Sequence, residues 1–484
     1  MSFRTSPAVG GSPFELVRQS LLQDESLPFA DVFTAAQMQQ AFDAEGVSFG
    51  DEDGTEEDTE IVYSPAVVMW AMLSQMLFTA EQRACRATVA RVAAYYALQG
   101  REVSATNTGA YCRARAKVTE RVVQRLAQDV ARDCEARLPE DWLWKGRTVR
   151  LVDGTTISLP DTPENQAEYP QPTTQARGIG FPILRVVALT SLVTGMVTAA
   201  ACGPYAGKET GETALLRSLF AALQRGDVLL ADRYYAGWFL LALLQELGVD
   251  FVVRLHQHRE ADFCGGRRLG PGDHLVTWSK PKQPDWMDQA TYDRLPAQLE
   301  VREVEVRVNV PGFRTESLVV VTSLHNAQEI SRDDLAALYR QRWCVELHLR
   351  DIKSTMCLDV LRCKTPQMVR QELWTGLLAY NLIRQSMLQS ARAADRKPCE
   401  LSFTATMQFL ASTWLTAAVT FTDPHSTARS PLIALRVTHG GGHRVGNRPD
   451  RIEPRAIKRR PPPHDLLTKP RDEARAALLA RRAA

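Results

Sequence analysis

The sequence lacks several patterns that mark common functional classes. Its nine cysteines form no Cys-x-x-Cys pair, which argues against a zinc site or a disulfide framework and favours reduced thiols in a cytosolic protein. No run of about 20 apolar residues occurs, and the N-terminus shows no basic segment followed by an apolar one, so no membrane span or secretion signal is predicted. The stretch 203–212 lacks the spacing of a Walker loop, so we expect no nucleotide cofactor.

Charge is segregated along the chain, although the net charge is only +2. Residues 51–60 are strongly acidic, whereas residues 429–484 contain 14 Lys and Arg against 5 Asp and Glu, and 14 − 5 gives +9. A basic tail of this kind fits a polyanionic partner, and a solvated tail without a partner is the alternative. The length of 484 residues and the ordinary apolar content predict a soluble protein of two or three domains.

Helical periodicity dominates the N-terminal part, and we assign residues 1–140 to a mostly helical domain. Ser64-Pro65 is a good helix start, and a later helix over 108–118 carries Tyr111 and three basic residues, Arg113, Arg115 and Lys117. This basic helix is consistent with DNA-end binding. A helical subdomain with ordinary surface charges explains it equally well.

From about residue 148 the period changes to that of strands. Strands are predicted at 149–153, at 183–192, in a second run to Ala201 after a Thr194-Gly195 turn, at 228–232 and at 251–255. Helices lie between the later ones, which indicates a mixed sheet covered by helices. We therefore expect an α/β catalytic domain built from residues 145–255 and 316–420. Residues 256–315 are expected to form a β-rich insertion, and residues 421–484 an extended basic tail rich in Pro and Arg, with a short terminal helix.

One segment, residues 339–353, combines an acid with phosphate-binding side chains. At about 100° per residue, Tyr339, Arg342, Glu346 and Lys353 would fall within a roughly 60° arc of a single helix, with Arg350 close to it. A parallel apolar stripe would bury the other side of that helix. The residues of the stripe are Leu338, Val345, Leu349, Ile352 and Met356.

Two further acids, Asp153 and Asp232, each end a predicted strand. A buried acid needs a charged partner or a metal, and carboxylates from three separate elements suit Mg²⁺ or Mn²⁺. Two such ions would support in-line phosphoryl transfer. The alternatives are a simple Asp-Gly turn at Asp153, an ion pair of Asp232 with Arg233, and a surface salt bridge of Glu346 with Arg342 or Arg350.

Together these motifs resemble those of bacterial insertion-sequence transposases of the Insertion Sequence Four family. The spacing Tyr-x2-Arg-x3-Glu-x6-Lys that ends at Lys353 matches the family signature. Asp153-Gly154-Thr155 is similar to the first family motif, and Asp232-Arg233-x-Tyr235 to the second. The resemblance spans roughly residues 60–385. It implies a ribonuclease H-like fold with a β insertion before the glutamate.

The resemblance also implies roles for single residues. Asp153, Asp232 and Glu346 would form the catalytic, metal-binding triad, holding two Mg²⁺ or Mn²⁺ ions. DNA would be contacted by Tyr339, Arg342, Lys353, Arg233, Tyr235 and, more weakly, Arg350. Similar enzymes cut through a hairpin and flip a base onto an aromatic residue. Trp278 and Trp286 are the candidates for that wedge, and burial in the core is the alternative for both.

The resulting hypothesis is a cut-and-paste DNA transposase that acts on the terminal inverted repeats of its element and on target DNA. It implies a homodimer at synapsis, a cytoplasmic, nucleoid-associated location in a bacterium, and no membrane partner. Two alternatives stay open. The protein could be a metal-dependent nuclease without strand transfer, or a DNA-binding protein that descends from a transposase and no longer catalyses, although the intact acids argue against the latter.

Overall fold

A computed structural model of the chain describes residues 14–24, 26–48, 62–307, 317–420, 429–445 and 467–483. Its α-helices are α1 (Glu15–Ser20), α2 (Ala35–Ala44), α3 (Pro65–Leu77), α4 (Cys85–Leu98), α5 (Gly109–Lys117), α6 (Glu120–Glu135), α7 (Pro163–Glu168), α8 (Glu212–Ser218), α9 (Trp238–Glu246), α10 (Gln289–Arg294), α11 (Arg332–Arg340), α12 (Trp343–Arg350), α13 (Pro366–Ala393), α14 (Phe403–Thr420), α15 (Arg429–Gly442) and α16 (Arg471–Ala483). Its strands are β1 (Val149–Ser158), β2 (Ile183–Ser191), β3 (Val197–Pro204), β4 (Val228–Ala231), β5 (Asp250–Arg254), β6 (Arg267–Gly270), β7 (Asp273–Ser279), β8 (Gln298–Arg307) and β9 (Ser317–Thr322). No helix among these residues is long and apolar enough to cross a bilayer.

The chain divides into two compact units. The first unit comprises Met1–Leu138, Asp351–Leu358 and Gln367–Val445, and the second comprises Pro139–Arg350, Asp359–Pro366 and Gly446–Ala484. The sequence assigned residues 316–420 to one catalytic domain, whereas most of α13 and all of α14 belong to the unit that also holds the N-terminal helices. The predicted division into functional domains stays a prediction.

The first unit is helical in its described residues, as the sequence predicted for residues 64–137. Helix α3 begins after Ser64, whose side chain accepts the backbone N–H of Val67, and it buries nearly its whole surface. Trp70 on this helix donates its indole N–H to Ser20 Oγ at 2.7 Å, and its ring stacks on Trp414 with centroids 5.8 Å apart. Aromatic burial therefore ties helices from both ends of the sequence into one core.

The basic helix expected at 108–118 is present as α5. Its Tyr111 is fully buried and donates its hydroxyl to Gln75 Oε1 at 2.5 Å, so this tyrosine is a core residue. Arg113 and Lys117 are exposed. The DNA-end-binding role of this region stays a prediction.

The expectation of an extended tail is wrong at α15. This helix includes Gly440 to Gly442, which in a sequence usually mark a turn. Here Gly440 is needed for space, because an added Cβ would lie 2.6 Å from Ser390 Oγ on α13. Close approach of two helices, which only glycine permits, overrides its low helix propensity. The predicted terminal helix is confirmed as α16.

The second unit is built on a nine-stranded mixed sheet with the order β3-β2-β1-β4-β5-β9-β8-β7-β6. Strand β1 is antiparallel to β2 and parallel to β4, and β5 is parallel to β4. These relations confirm the predicted mixed sheet with covering helices. Its core is formed by alternate strand residues and by α9, and examples are Val152, Leu229, Leu241 and Phe251.

The β-rich insertion expected at 256–315 contributes β6, β7 and β8. These strands continue the main sheet, because β8 pairs with β9 and β9 pairs with β5. Strand β8 covers Gln298–Arg307, and residues 308–315 of the expected insertion lie outside the described residues.

Candidate active site

Asp153 and Asp232 occupy equivalent positions on neighbouring strands. The last paired residues of the parallel strands β1 and β4 are Leu151 and Leu230, and each aspartate follows two residues later. Residues two apart on an extended chain project to the same side. The fold thus brings the two carboxylates together at the edge where β4 ends.

The prediction that Asp153 ends its strand is wrong. Strand β1 continues to Ser158, because Asp153 and the residues after it stay paired with β2, with Asp153 opposite Ala188 and Gly154 opposite Val187. What stops at this point is the pairing with β4. Asp153 therefore lies at a step in the sheet, where the strand on one side has ended.

Each aspartate is oriented by a backbone N–H. Asp153 Oδ1 accepts from the N–H of Gly154 at 2.8 Å, and Asp232 Oδ1 accepts from the N–H of Tyr234 at 2.7 Å. In these hydrogen bonds each carboxylate uses one of its two oxygens, Oδ1. The arrangement holds both side chains in a defined rotamer.

The environment of Asp153 disfavours its negative charge. Burial raises the pKa of Asp153 to about 6, and the neighbouring charges of Asp232 and Glu212 act in the same direction. The N–H of Gly154 and the Arg342 guanidinium oppose this rise. A carboxylate whose pKa is raised by burial, with further carboxylates beside it, provides the electrostatic setting in which a cation binds favourably.

The single helix predicted over residues 339–353 is broken in two places. Helix α11 ends at Arg340 and α12 begins at Trp343, and the connection uses i→i−3 bonds, such as Arg342 N–H to the Tyr339 carbonyl at 3.1 Å. A second irregularity follows α12, where residues 351–355 form a π-helical turn. The expected 60° arc on one continuous helix is therefore wrong, although its members stay close in sequence.

Glu346 is paired with Arg342. The Arg342 Nη2–Glu346 Oε1 distance is 2.5 Å, and α12 packs against β1. Burial disfavours the charged guanidinium, but the hydrogen bond to Glu346 and the nearby negative groups raise the pKa of Arg342. The salt bridge that the sequence left as an alternative is thus present. The negative charge of Asp153 also contributes to the raised pKa of Arg342.

Tyr339 is buried beside these groups. Burial raises its pKa to about 12, so its hydroxyl stays protonated at neutral pH and can act as a donor. The charges that influence it are those of Arg342, Asp232, Arg254 and Arg233. Tyr339, Arg342 and the two aspartates therefore share one electrostatic environment.

Lys353 and Arg350 fall in different units. Arg350 is the last residue of α12 and is exposed, whereas Lys353 is half-buried in the π-helical turn of the first unit. The predicted apolar stripe is confirmed, since all of its members are buried. They are Leu338, Val345, Leu349, Ile352 and Met356.

Tyr235 supports the site from the core. Its side chain is fully buried, so a direct DNA contact by its ring does not fit this structure, while Arg233 next to it is exposed. The Tyr235 hydroxyl donates to Glu212 Oε2 at 3.2 Å. Sequence reasoning missed Glu212, because only tertiary contacts bring it to Asp153 and Asp232. Its position directly after Gly211, at the start of a helix, was the only local signal.

The two tryptophans of the insertion differ in exposure. Trp278 is 6% exposed, donates its indole N–H to Glu303 at 3.0 Å and accepts from Trp238 through its carbonyl. Trp278 is thus a core residue in this structure, as the alternative reading expected, and its role as a base-flipping wedge stays a prediction. Trp286 is half-buried beneath the Arg217 guanidinium, 3.6 Å from the ring centroid, and its role stays a prediction.

Comparisons with known proteins identify the family to which this site belongs. The family model for the transposase DDE domain matches residues 144–382, which include both aspartates and Glu346. The chain contains a transposase DDE domain. It is 28% identical over 351 residues to the transposase InsG of the insertion sequence element IS4 from Escherichia coli K12, covering 70% of this chain and 75% of that protein.

Two further matches are more limited. A transposase of the insertion sequence element IS421 from Escherichia coli is 38% identical over 66 residues, which are 14% of this chain and 18% of that protein. The cryo-EM structure of a piggyBac transposase synaptic complex with hairpin DNA aligns with 89% of this chain and 87% of that chain, at 9% identity and a TM-score of 0.39. The family assignment rests on the domain match and on InsG.

DDE transposases act on DNA and generally use divalent metal ions. Among the described residues, no three His, Cys, Asp or Glu side chains converge closely enough to hold an ion as they stand. The donor set nevertheless fits a hard cation, because it consists of carboxylate oxygens and two of them are aligned by the sheet. Glu346, the third acid, is paired with Arg342 in this structure.

Proposed function

We propose that this transposase excises and inserts an insertion sequence by cut-and-paste transposition, with Asp153, Asp232 and Glu346 as its catalytic acids. The observation that carries this proposal is the alignment of Asp153 and Asp232 at matched positions of two parallel strands, with the Glu346 helix packed against β1. The order β3-β2-β1-β4-β5 supports a ribonuclease H-like assignment of this part of the sheet. The hairpin intermediate and the dimer at synapsis belong to the same proposal.

The three acids would hold two Mg²⁺ or Mn²⁺ ions. When bound, such ions activate a water or a 3′-hydroxyl and stabilise the leaving oxygen. Glu346 has to leave Arg342 before it can join the aspartates. A phosphate of the element end would then replace the carboxylate as the partner of the guanidinium, with the protonated hydroxyl of Tyr339 as a further donor. Binding of DNA and assembly of the triad would thereby be coupled.

The complete reaction distinguishes a transposase from a nuclease. We expect the full chain, with Mg²⁺, paired inverted repeats from its own element and a supercoiled target, to yield element DNA joined to the target. Gel analysis of end-labelled repeats separates nicked, hairpin and joined products. Nicked products without any joined product would support the nuclease alternative, and binding without cleavage would support the non-catalytic one.

Replacing Arg342 by Ala is expected to weaken binding of the element ends and to flatten its salt dependence. Loss of one phosphate contact lowers the slope of log affinity against log salt by about 0.9. Fluorescence anisotropy with labelled repeats between low and moderate salt measures this slope. The matched control is Arg294→Ala on α10, where Arg294 pairs with Glu246 at 2.5 Å on the surface, and it should keep the wild-type slope. An unchanged slope in the Arg342 variant would exclude the phosphate role.

A further inference from the structure

Glu212 lies next to both aspartates without belonging to any of the motifs. It is the first residue of α8, and its carboxylate accepts the hydroxyl of Tyr235 at 3.2 Å. Tyr235 is the last residue of the short helical turn Arg233–Tyr235. Asp232 directly precedes this turn and caps it, because its side chain accepts the backbone N–H of Tyr234. Glu212 is thereby linked to the backbone that orients Asp232.

Glu212 also occupies the space above Gly154. A Cβ added to Gly154 would lie 2.3 Å from Glu212 Cδ and 2.5 Å from Oε1. The backbone of Gly154 is not in the left-handed region, so the glycine accommodates the Glu212 side chain in its present position and is not there for its conformational freedom. The glycine after Asp153 thus makes room for a carboxylate that reaches the strand from α8.

The charge of Glu212 acts on Asp153, and the charge of Asp232 acts on Glu212. Burial raises the pKa of Glu212, and the charge of Asp232 adds to this rise, while the Tyr235 hydroxyl and Arg185 oppose it. The charge of Glu212 in turn disfavours ionisation of Asp153. Three like charges in one half-buried place repel each other, and a divalent cation would relieve that repulsion.

We propose that Glu212 is a positioning residue of the catalytic site, which holds Tyr235 and the Gly154 segment and whose charge strengthens divalent-cation binding by Asp153 and Asp232. This inference rests on the proposed function. A purely structural Glu212 would matter for stability and leave cation affinity unchanged. A charge role predicts the opposite pattern. Removing one of three carboxylates that repel each other lowers the electrostatic repulsion in the cation-free protein and weakens cation binding.

The test is a Mn²⁺ titration of the full chain, in which the electron paramagnetic resonance signal of free Mn²⁺ reports binding. Glu212→Gln keeps the shape of the side chain and an oxygen for Tyr235, and we expect it to bind Mn²⁺ about tenfold more weakly. Its thermal midpoint without metal should equal or exceed that of the wild type. Glu212→Asp, which retains the charge, should recover affinity relative to Glu212→Gln. Tyr235→Phe should lower affinity less than Glu212→Gln.

Wild-type Mn²⁺ affinity in Glu212→Gln would overturn the inference, and so would a lowered thermal midpoint or failure of this variant to fold. Asp153→Asn in the same titration separates this failure from failure of the proposed function. If Asp153→Asn loses Mn²⁺ binding while Glu212→Gln keeps it, only the role of Glu212 is excluded. If Asp153→Asn binds Mn²⁺ like the wild type, the proposed metal site itself is excluded.

Discussion

Replacing Glu346 by Gln is expected to reduce cleavage of element ends on the order of 10³-fold, because a ligand to ions that lower the barrier by several kcal/mol is lost. Binding of the ends should not weaken, since Gln keeps the length of the side chain and the substitution leaves the Arg342 guanidinium in place for the phosphate. Single-turnover cleavage of labelled repeats with Mg²⁺, together with anisotropy for binding, measures both quantities.

The matched control is Glu329→Gln, an exposed glutamate of the same unit, which should cleave like the wild type. The present pairing of Glu346 with Arg342 provides a specific competing explanation, a salt bridge that only stabilises the fold. In that case Glu346→Gln would cleave normally, or would lose stability and end binding together. Cleavage that survives the substitution would remove Glu346 from the triad.

The part of the site that the sequence predicts is the part fixed by local pattern. Asp232 follows four buried residues, Val228 to Ala231, and a short apolar run that ends in an acid is visible without any structure. The apolar stripe from Leu338 to Met356 is visible for the same reason. Its members are all buried, although the helix is interrupted on either side of α12.

The parts that the sequence does not predict depend on contacts between distant residues. Glu212 and Gly154 are 58 positions apart, by 212 − 154, and only the packing of α8 against β2 and β3, next to β1 in the sheet, brings them together. Strand β1 continues past Asp153 because β2 supplies a partner there, which no local pattern around Asp153 reveals. Trp278 becomes a core residue because Glu303, on the neighbouring strand, accepts its N–H.

A buried ion pair in the insertion anchors the approach to the site. Arg302 on β8 is fully buried and forms two hydrogen bonds to Asp273 on β7, at 2.8 and 2.6 Å. Its remaining guanidinium nitrogen donates to the carbonyls of Leu324 and Ile330, at 3.3 and 2.7 Å. These carbonyls belong to the connection that leads into α11, which carries Tyr339. Arg302 therefore fixes the start of the segment that ends at Arg342 and Glu346.

Replacing Arg302 by Ala is expected to lower the free energy of unfolding by about 3–5 kcal/mol, because it leaves the buried Asp273 carboxylate and two carbonyls without their partner. Urea denaturation followed by circular dichroism measures the loss. Lys145→Ala, which breaks the more exposed pair with Asp334, should cost less than about 1 kcal/mol. The double change Arg302→Met with Asp273→Leu should recover much of the stability, because it removes both charges together. A loss below about 1 kcal/mol in Arg302→Ala would contradict the anchoring role, since the desolvated carboxylate would then have found another partner.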